Sequence, residues 1–278
     1  MSLKDLNRGS IKVSIVASQY TFQDLPSVLR KAFEEQTVYT PTGETASLDS
    51  NISLNEALAL YGFVRQLQPN VSVEVGLAKG ISTLAILQAL ADNGKGTHHV
   101  IDPYQSAYGY VGLEMVHRAG LDAHFVFHET FAENVIPDLP QVQFGFIDAS
   151  HLFDLTLTEF VLIDKKLSPG GMIGLHDLWM PSVRKVVSYI LTNRAYQLVQ
   201  DNTAAFTIEK QTKQALKNRM KSRILKLFLR WPQAEKIFNA EFLYHLNYDI
   251  DRFTVVDNLA IVKKEKEDKR NWQFHQPF

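Results

Sequence analysis

Val71-Ser-Val-Glu-Val-Gly76-Leu-Ala-Lys-Gly80-Ile-Ser-Thr83 is the stretch on which the reading of this chain turns. The β-branched run Val71, Val73, Val75 predicts a strand, and it stops at Gly76. A second glycine follows at Gly80, and Ser82-Thr83 opens an apolar pattern at Ile81, Leu84, Leu87 and Leu90 with helical spacing. Asn93-Gly94 ends that helix, Thr97 to Ile101 resumes a strand, and Asp102-Pro103 stops it. The whole reads as a right-handed βαβ crossover with an acid at the tip of its second strand, a unit that often binds a nucleoside.

Charge and turn length indicate which nucleoside. Dinucleotide folds use G-x-G-x-x-G, whose last glycine lets the helix N-terminus approach a pyrophosphate. Here Gly76-x-Ala78-x-Gly80 is followed by Ile81, and Glu74 lies two residues before the first glycine, where its charge repels phosphates. S-adenosylmethionine carries no phosphate and has cationic sulfonium and ammonium groups, which a carboxylate beneath the turn suits. Asp102 suits the two ribose hydroxyls.

Glu74-x-Gly76-x-x-x-Gly80 together with Asp102 resembles the first two motifs of class I S-adenosylmethionine-dependent methyltransferases. The resemblance implies a cofactor site made by Glu74, Gly76, Ala78, Gly80, Ser82 and Asp102. It also implies that Phe131 and Ala132 lie against the adenine, although family members often have glycine at the position of Thr130, and that the loop Asp49 to Ser53 closes over the cofactor's amino-acid end.

Beyond Asp102 comes a loop rich in glycine and tyrosine, with Tyr104, Tyr108 and Tyr110 either lining a substrate mouth or anchoring the loop. Three further strands follow. His124 to His128 is one, Gln143-Phe-Gly-Phe-Ile-Asp148 the next, and Met172-Ile-Gly-Leu-His176-Asp177 the last, entered from a turn at Ser168-Pro-Gly-Gly171. Helices are expected at 22–35, 53–67, 113–119, 153–167 and 181–193. Strands ending in Asp102, Asp148 and Asp177 share one edge of a parallel sheet, so their carboxylates should line one crevice at the topological switch point.

Phe146-Ile-Asp-Ala-Ser-His-Leu-Phe-Asp154, followed a helix later by Leu167 to Asp177, is similar to the catechol O-methyltransferase-like branch, and most of all to its bacterial relatives that methylate hydroxyls of sugars and natural products. The likeness covers about residues 50 to 200. It implies a divalent cation (magnesium, manganese or zinc) held by Asp148, His176 and Asp177, with His151 where metal-dependent members carry a lysine base. Asp148 and His151 are then the catalytic pair. This chain has histidine at 151 and 176, where those members have lysine and an acid.

Composition sets the outer limits. The 278 residues are 45% hydrophobic and 11% aromatic, enough for one sizeable α/β core. A net charge of −1 offers no global field for nucleic acid, and the lack of cysteine removes disulfides and thiolate metal sites. Neither a signal peptide nor an apolar run of spanning length is visible, so a cytoplasmic location is the expectation. The fold expected is a doubly wound, Rossmann-like seven-stranded sheet with helices on both faces. Residues 1–50 form a helical or lid segment, 51–208 the methyltransferase domain, and 209–278 a helical extension with a hairpin.

Two hairpins, 196–208 and 251–262, compete for the last places in the sheet, and the first is preferred. A basic amphipathic stretch at 213–231 is read either as a surface helix or as a peripheral contact with an anionic surface, and Lys263 to Lys269 as a solvated charge run. The function expected is methyl transfer to a hydroxyl of a small molecule or glycan. A nicotinamide-dependent oxidoreductase and a cofactor-binding protein without catalysis stay open, as does self-association into a homo-oligomer.

Overall fold

The computed structural model describes residues 19–49, 51–199, 258–276 and 278. The described residues open with a helical turn at Phe22–Asp24 and helix α1 (Ser27–Glu35), then a short hairpin of β1 (Thr37–Tyr39) and β2 (Thr45–Ser47). The single helix expected over 22–35 is thus broken, because Pro26 sits in extended backbone at its middle. The turn-rich stretch after Tyr39 is the bend of a hairpin.

Helix α2 (Leu54–Leu67) starts at a capping box in which the Ser53 side chain accepts from the Glu56 N–H and the Glu56 carboxylate accepts from the Ser53 N–H. Then come β3 (Val71–Val75), α3 (Ile81–Asn93), β4 (Thr97–Ile101), α4 (Val111–Ala119), β5 (Phe125–His128), β6 (Val142–Ile147), α5 (Phe153–Lys166), β7 (Leu167–Leu175), α6 (Pro181–Asn193), β8 (Tyr196–Val199) and β9 (Ala260–Lys264). Ser168 to Gly171, expected as a turn, lies within β7, and the irregular register against β6 falls between Val142 and Phe144.

Seven strands make one sheet in the order β5-β4-β3-β6-β7-β9-β8. The first five are parallel, and β9 runs antiparallel to both β7 and β8. Because β4 and β6 lie on opposite sides of β3, the strand order reverses at the β3–β6 junction, where open α/β sheets hold their ligands. The sheet takes one strand from each candidate hairpin. Tyr196–Val199 pairs with Ala260–Lys264, and the expected partner at 204–208 lies outside the described residues.

One buried apolar cluster joins α1, α2, α3 and α4 to one face of the sheet, and a second joins α5 and α6 to the other. Strand alternation sorts the two: Val73 and Val75 of β3 belong to the second cluster, while Ser72 and Glu74 turn the other way.

Within the charge run at 263–269, Lys264 alone departs from the expectation. Lys264 is buried, donating to the Asp164 and Leu167 carbonyls at 2.8 Å and pairing with Glu267 at 2.8 Å. Asp268 pairs with Arg194 and Arg270 while the residues from 265 to 269 stay exposed, so the run is solvated as expected apart from its anchor at Lys264. Among the described residues, no helix is long and apolar enough to cross a membrane. The basic stretch at 213–231 lies outside them.

Candidate active site

Register brings the strand ends level. Val75 pairs with Ile101 and with Ile147, and Ile147 pairs with Leu175. The ladder then continues one residue further: the N–H groups of Gly76, Asp102, Asp148 and His176 donate to Ile101, His128, Val75 and Ile147 carbonyls at 2.9 to 3.1 Å. Asp102 and Asp148 are therefore held by backbone bonds at one edge, with Asp177 one residue beyond the ladder.

The turn between β3 and α3 packs as tightly as its glycines suggest. Gly76 has φ +99°, and a Cβ there would meet the Asp148 carbonyl oxygen at 2.1 Å. Gly80, at φ +79°, lies against the backbone of Gly112 at the start of α4. Ala78 also takes a left-handed conformation, φ 43°.

Asp102 closes this turn from the neighbouring strand. Its Oδ2 accepts from the Leu77 and Ala78 N–H groups at 3.0 Å and from Gln105 Nε2 at 2.9 Å, and its Oδ1 accepts from the Tyr104 N–H at 2.8 Å. Gln105 is wholly buried and also donates to the Ala78 carbonyl. It is a residue that no sequence signal singled out.

Glu74 does not reach the crevice. It is fully buried, accepting from the hydroxyls of Ser82 and of Thr83 (2.8 Å) on α3 and from His98 Nε2 at 2.8 Å, while His98 Nδ1 meets Ser72 Oγ at 2.9 Å. Ser82 is spent on the same network. These residues brace the strand beneath the turn, and the turn's own amides lie above them.

Phe131 stands half exposed, edge-to-face with Tyr104 at 6.1 Å between ring centroids, and Ala132 is buried beneath it. Tyr104 is therefore one wall of an open aromatic corner beside Asp102. Tyr110 bonds Glu129 at 3.3 Å. Of the lid expected at 49–53, Asp49 is tied to the turn through Lys79, and Ser50 lies outside the described residues.

The third group gathers at Asp148. His151 Nε2 lies 3.1 Å from Asp148 Oδ1 and 2.9 Å from Asp177 Oδ2. His176 Nδ1 lies 3.2 Å from the same Asp148 oxygen, and its Nε2 lies 3.4 Å from Glu56 Oε2. His151 and Asp177 are both left-handed non-glycine residues, φ 57° and 58°, conformations that persist where the surroundings enforce them. Burial pushes the Asp148 carboxyl up, but hydrogen bonds from His151 and His176 and their charge outweigh it and hold it at about 2. Burial alone lowers His176, yet its bonds to Asp148 and Glu56 carry it to about 10. The bond to Asp148 likewise raises His151.

One ligand atom each from Asp148, His151 and Asp177 lies within 4.8 Å of the others, and two carboxylates with an imidazole form a donor set that fits a divalent cation. His176 does not share that set. Both of its ring nitrogens face carboxylate oxygens, so both must donate, and an imidazolium has no lone pair for a metal. His176 Nδ1 also lies 3.2 Å from Asp148 and 3.4 Å from Asp177, but with its Nε2 turned to Glu56 it is His151 that completes the set of three ligand atoms. Glu56, behind His176, is a second residue that the sequence reading did not single out.

Residues 73–178, which run from the strand beneath the turn to just past Asp177, match the family model described as a methyltransferase domain. Over that stretch the chain is similar to methyltransferase domains. It is 27% identical over 143 residues to a flavonoid 3',5'-methyltransferase of Vitis vinifera, covering 49% of this chain and 59% of that protein. A tapetum-specific methyltransferase of Arabidopsis thaliana is also 27% identical, over 47% of this chain and 57% of its own length. The chain thus spans less than two thirds of the curated relatives it matches. Among solved structures, the methyltransferase PaMTH1 of Podospora anserina, in SAH-bound form, superposes with a TM-score of 0.50 at 16% identity, over 86% of this chain and 88% of that one. That likeness shows a shared fold over most of the chain.

Proposed function

We propose that the protein transfers a methyl group from S-adenosylmethionine to a hydroxyl of a small molecule or glycan. The observation that carries this reading is the destination of the turn's amides. Leu77 and Ala78 direct their N–H groups at Asp102, leaving neither for the pyrophosphate of a dinucleotide, and a second anion would face the carboxylate already there. A nucleoside without phosphate meets neither obstacle. Asp102 Oδ1 accepts only the Tyr104 N–H among the described residues, so it retains capacity for a ribose hydroxyl, and the Tyr104–Phe131 corner offers an aromatic wall for adenine. The methyltransferase relatives at 27% identity support the same chemistry.

An acceptor hydroxyl must lose its proton at or before the transition state. His151 is the group placed to take it: Asp148 and Asp177 fix the Nε2–H, which leaves Nδ1 as the basic atom, the arrangement by which a carboxylate orients a catalytic imidazole. A second reading is favoured by the convergence of three donor atoms. There Asp148, His151 and Asp177 hold a divalent cation, manganese before magnesium given the nitrogen ligand. Such a cation, when bound, lowers the pKa of an acceptor hydroxyl directly. The two readings exclude each other at Nε2, which cannot keep its proton and ligate.

The test is production of S-adenosylhomocysteine over a panel of hydroxylated sugars and phenols, before and after chelation and with manganese, magnesium or zinc restored. Activity that survives chelation and is lost in His151→Ala supports the base. Activity that returns only with a cation supports the second reading, and no turnover on any acceptor with the donor bound removes the catalytic assignment.

A further inference from the structure

Asp148 is pulled by two imidazoles through one oxygen, Oδ1, and only one of these rings faces the crevice. The other, His176, is 7% exposed and stands between Asp148 and Glu56. Glu56 is itself 2% exposed and has collected three N–H donors: Asn258 N at 2.7 Å on Oε1, and Ser53 N at 2.7 Å with His176 Nε2 at 3.4 Å on Oε2. Asn258 is fixed from its other side, since its carbonyl accepts from the Leu178 N–H at 3.1 Å, one residue past Asp177. One buried carboxylate therefore gathers the start of α2, the approach to β9 and, through an imidazole, the acid at the tip of β6.

We propose that Glu56 is a positioning residue that acts through His176 to fix the orientation of Asp148, and hence of His151. The inference rests on the reading of Asp148 and His151 as the proton-handling pair. A carboxylate at the end of a strand has free rotation about χ2 unless its oxygens are claimed from a defined direction. His176 claims Oδ1 from the buried side, with its Nδ1 also 3.4 Å from Asp177 Oδ1, and the acceptor at its far nitrogen helps to fix its ring plane. Outer partners of this kind orient an active group without touching it. An amide in place of Glu56 cannot serve all three donors, because it offers one acceptor oxygen and adds two N–H groups of its own.

The experiment is metal-free and activity-free, so its outcome is independent of whether an acceptor is ever found. With chelator present and pH fixed, the ring ¹⁵N and N–H resonances of His151 and His176 are recorded for the unmodified protein, Glu56→Gln, His176→Asn and the double variant. Glu56→Gln is expected to remove or displace the His176 Nε2–H signal and to shift the His151 ring signals. In the His176→Asn background it is expected to leave His151 where His176→Asn alone puts it. A purely structural Glu56 would move His151 equally in both backgrounds, and that result overturns the proposal, as does an unmoved His176 signal. Should Glu56→Gln fail to fold, His176→Asn decides alone: an unchanged His151 resonance there overturns it.

Discussion

Gly76 and Asp148 touch across the point where the strand order reverses: a Cβ on the glycine would lie 2.1 Å from the carbonyl oxygen of the acid. Gly76 also holds φ +99°, where a side chain is strained regardless of space. Gly76→Ala must therefore separate β3 from β6 at the site itself. The expected result is a loss of at least about 2 kcal/mol of stability, read by denaturant unfolding, with S-adenosylhomocysteine binding reduced in whatever fraction folds.

The sequence places Glu74 toward the cofactor, and in the fold its carboxylate instead accepts from three buried donors, Ser82, Thr83 and His98. Glu74→Ala orphans all three inside the core, at about 1–3 kcal/mol for each unsatisfied group. The variant should be poorly folded or melt far below the unmodified protein. An unchanged melting temperature with weakened cofactor binding would mean that the carboxylate reaches the ligand after all.

Asp102 closes the turn, and in the proposed function it also meets the ribose. Because Oδ2 closes the turn through Leu77, Ala78 and Gln105, Asp102→Ala should destabilise the ligand-free protein as well as weaken S-adenosylhomocysteine. Loss of a charged hydrogen bond, about 1.5–3 kcal/mol, corresponds to a rise in Kd of roughly tenfold or more. Calorimetry and thermal melts on the same sample check both.

Glu159, on α5, is buried with its Oε2 lacking a hydrogen-bond partner among the described residues. Burial is the main reason its carboxyl is pushed up to about 7, with His151 opposing and Glu133 adding to the rise. A folded-state value above the unfolded one means that the native protein holds this proton longer. Its stabilising effect is complete below the ordinary 4.5 and is lost as pH rises toward 7. At about 1.36 kcal/mol per unit the loss amounts to about 3 kcal/mol. Glu159→Gln should thus gain stability relative to the unmodified protein at pH 8 and little at pH 4.5, and a pH-independent difference between the two would remove the assignment.

Much of the parallel sheet was legible because each strand is a short apolar run stopped by a residue that must stop it: Gly76, Asp102, Asp148, and the His176-Asp177 pair. The carboxyl edge followed from topology, and with it the proximity of Asp148 and Asp177. What escaped were partnerships across long separations. Lys264 resembles part of a surface run until the Asp164 carbonyl, 100 residues earlier, accepts from it, and Glu56 resembles a helix cap until His176, 120 residues later, meets it. Strand β9 was ambiguous for the same reason, since pairing with β7 and β8 is decided by the finished sheet. The direction of Glu74 was available from alternation with Val73 and Val75, and was obscured by the attraction of opposite charges in an imagined site.

The central claim is that the turn between β3 and α3 accepts a phosphate-free nucleoside. Isothermal titration of the unmodified protein with S-adenosylhomocysteine and, separately, with NADH tests it most directly. The account predicts saturable heat with the first, lost or weakened at least roughly tenfold in Asp102→Ala, and none with the second. Saturable binding of NADH with no response to S-adenosylhomocysteine would contradict it.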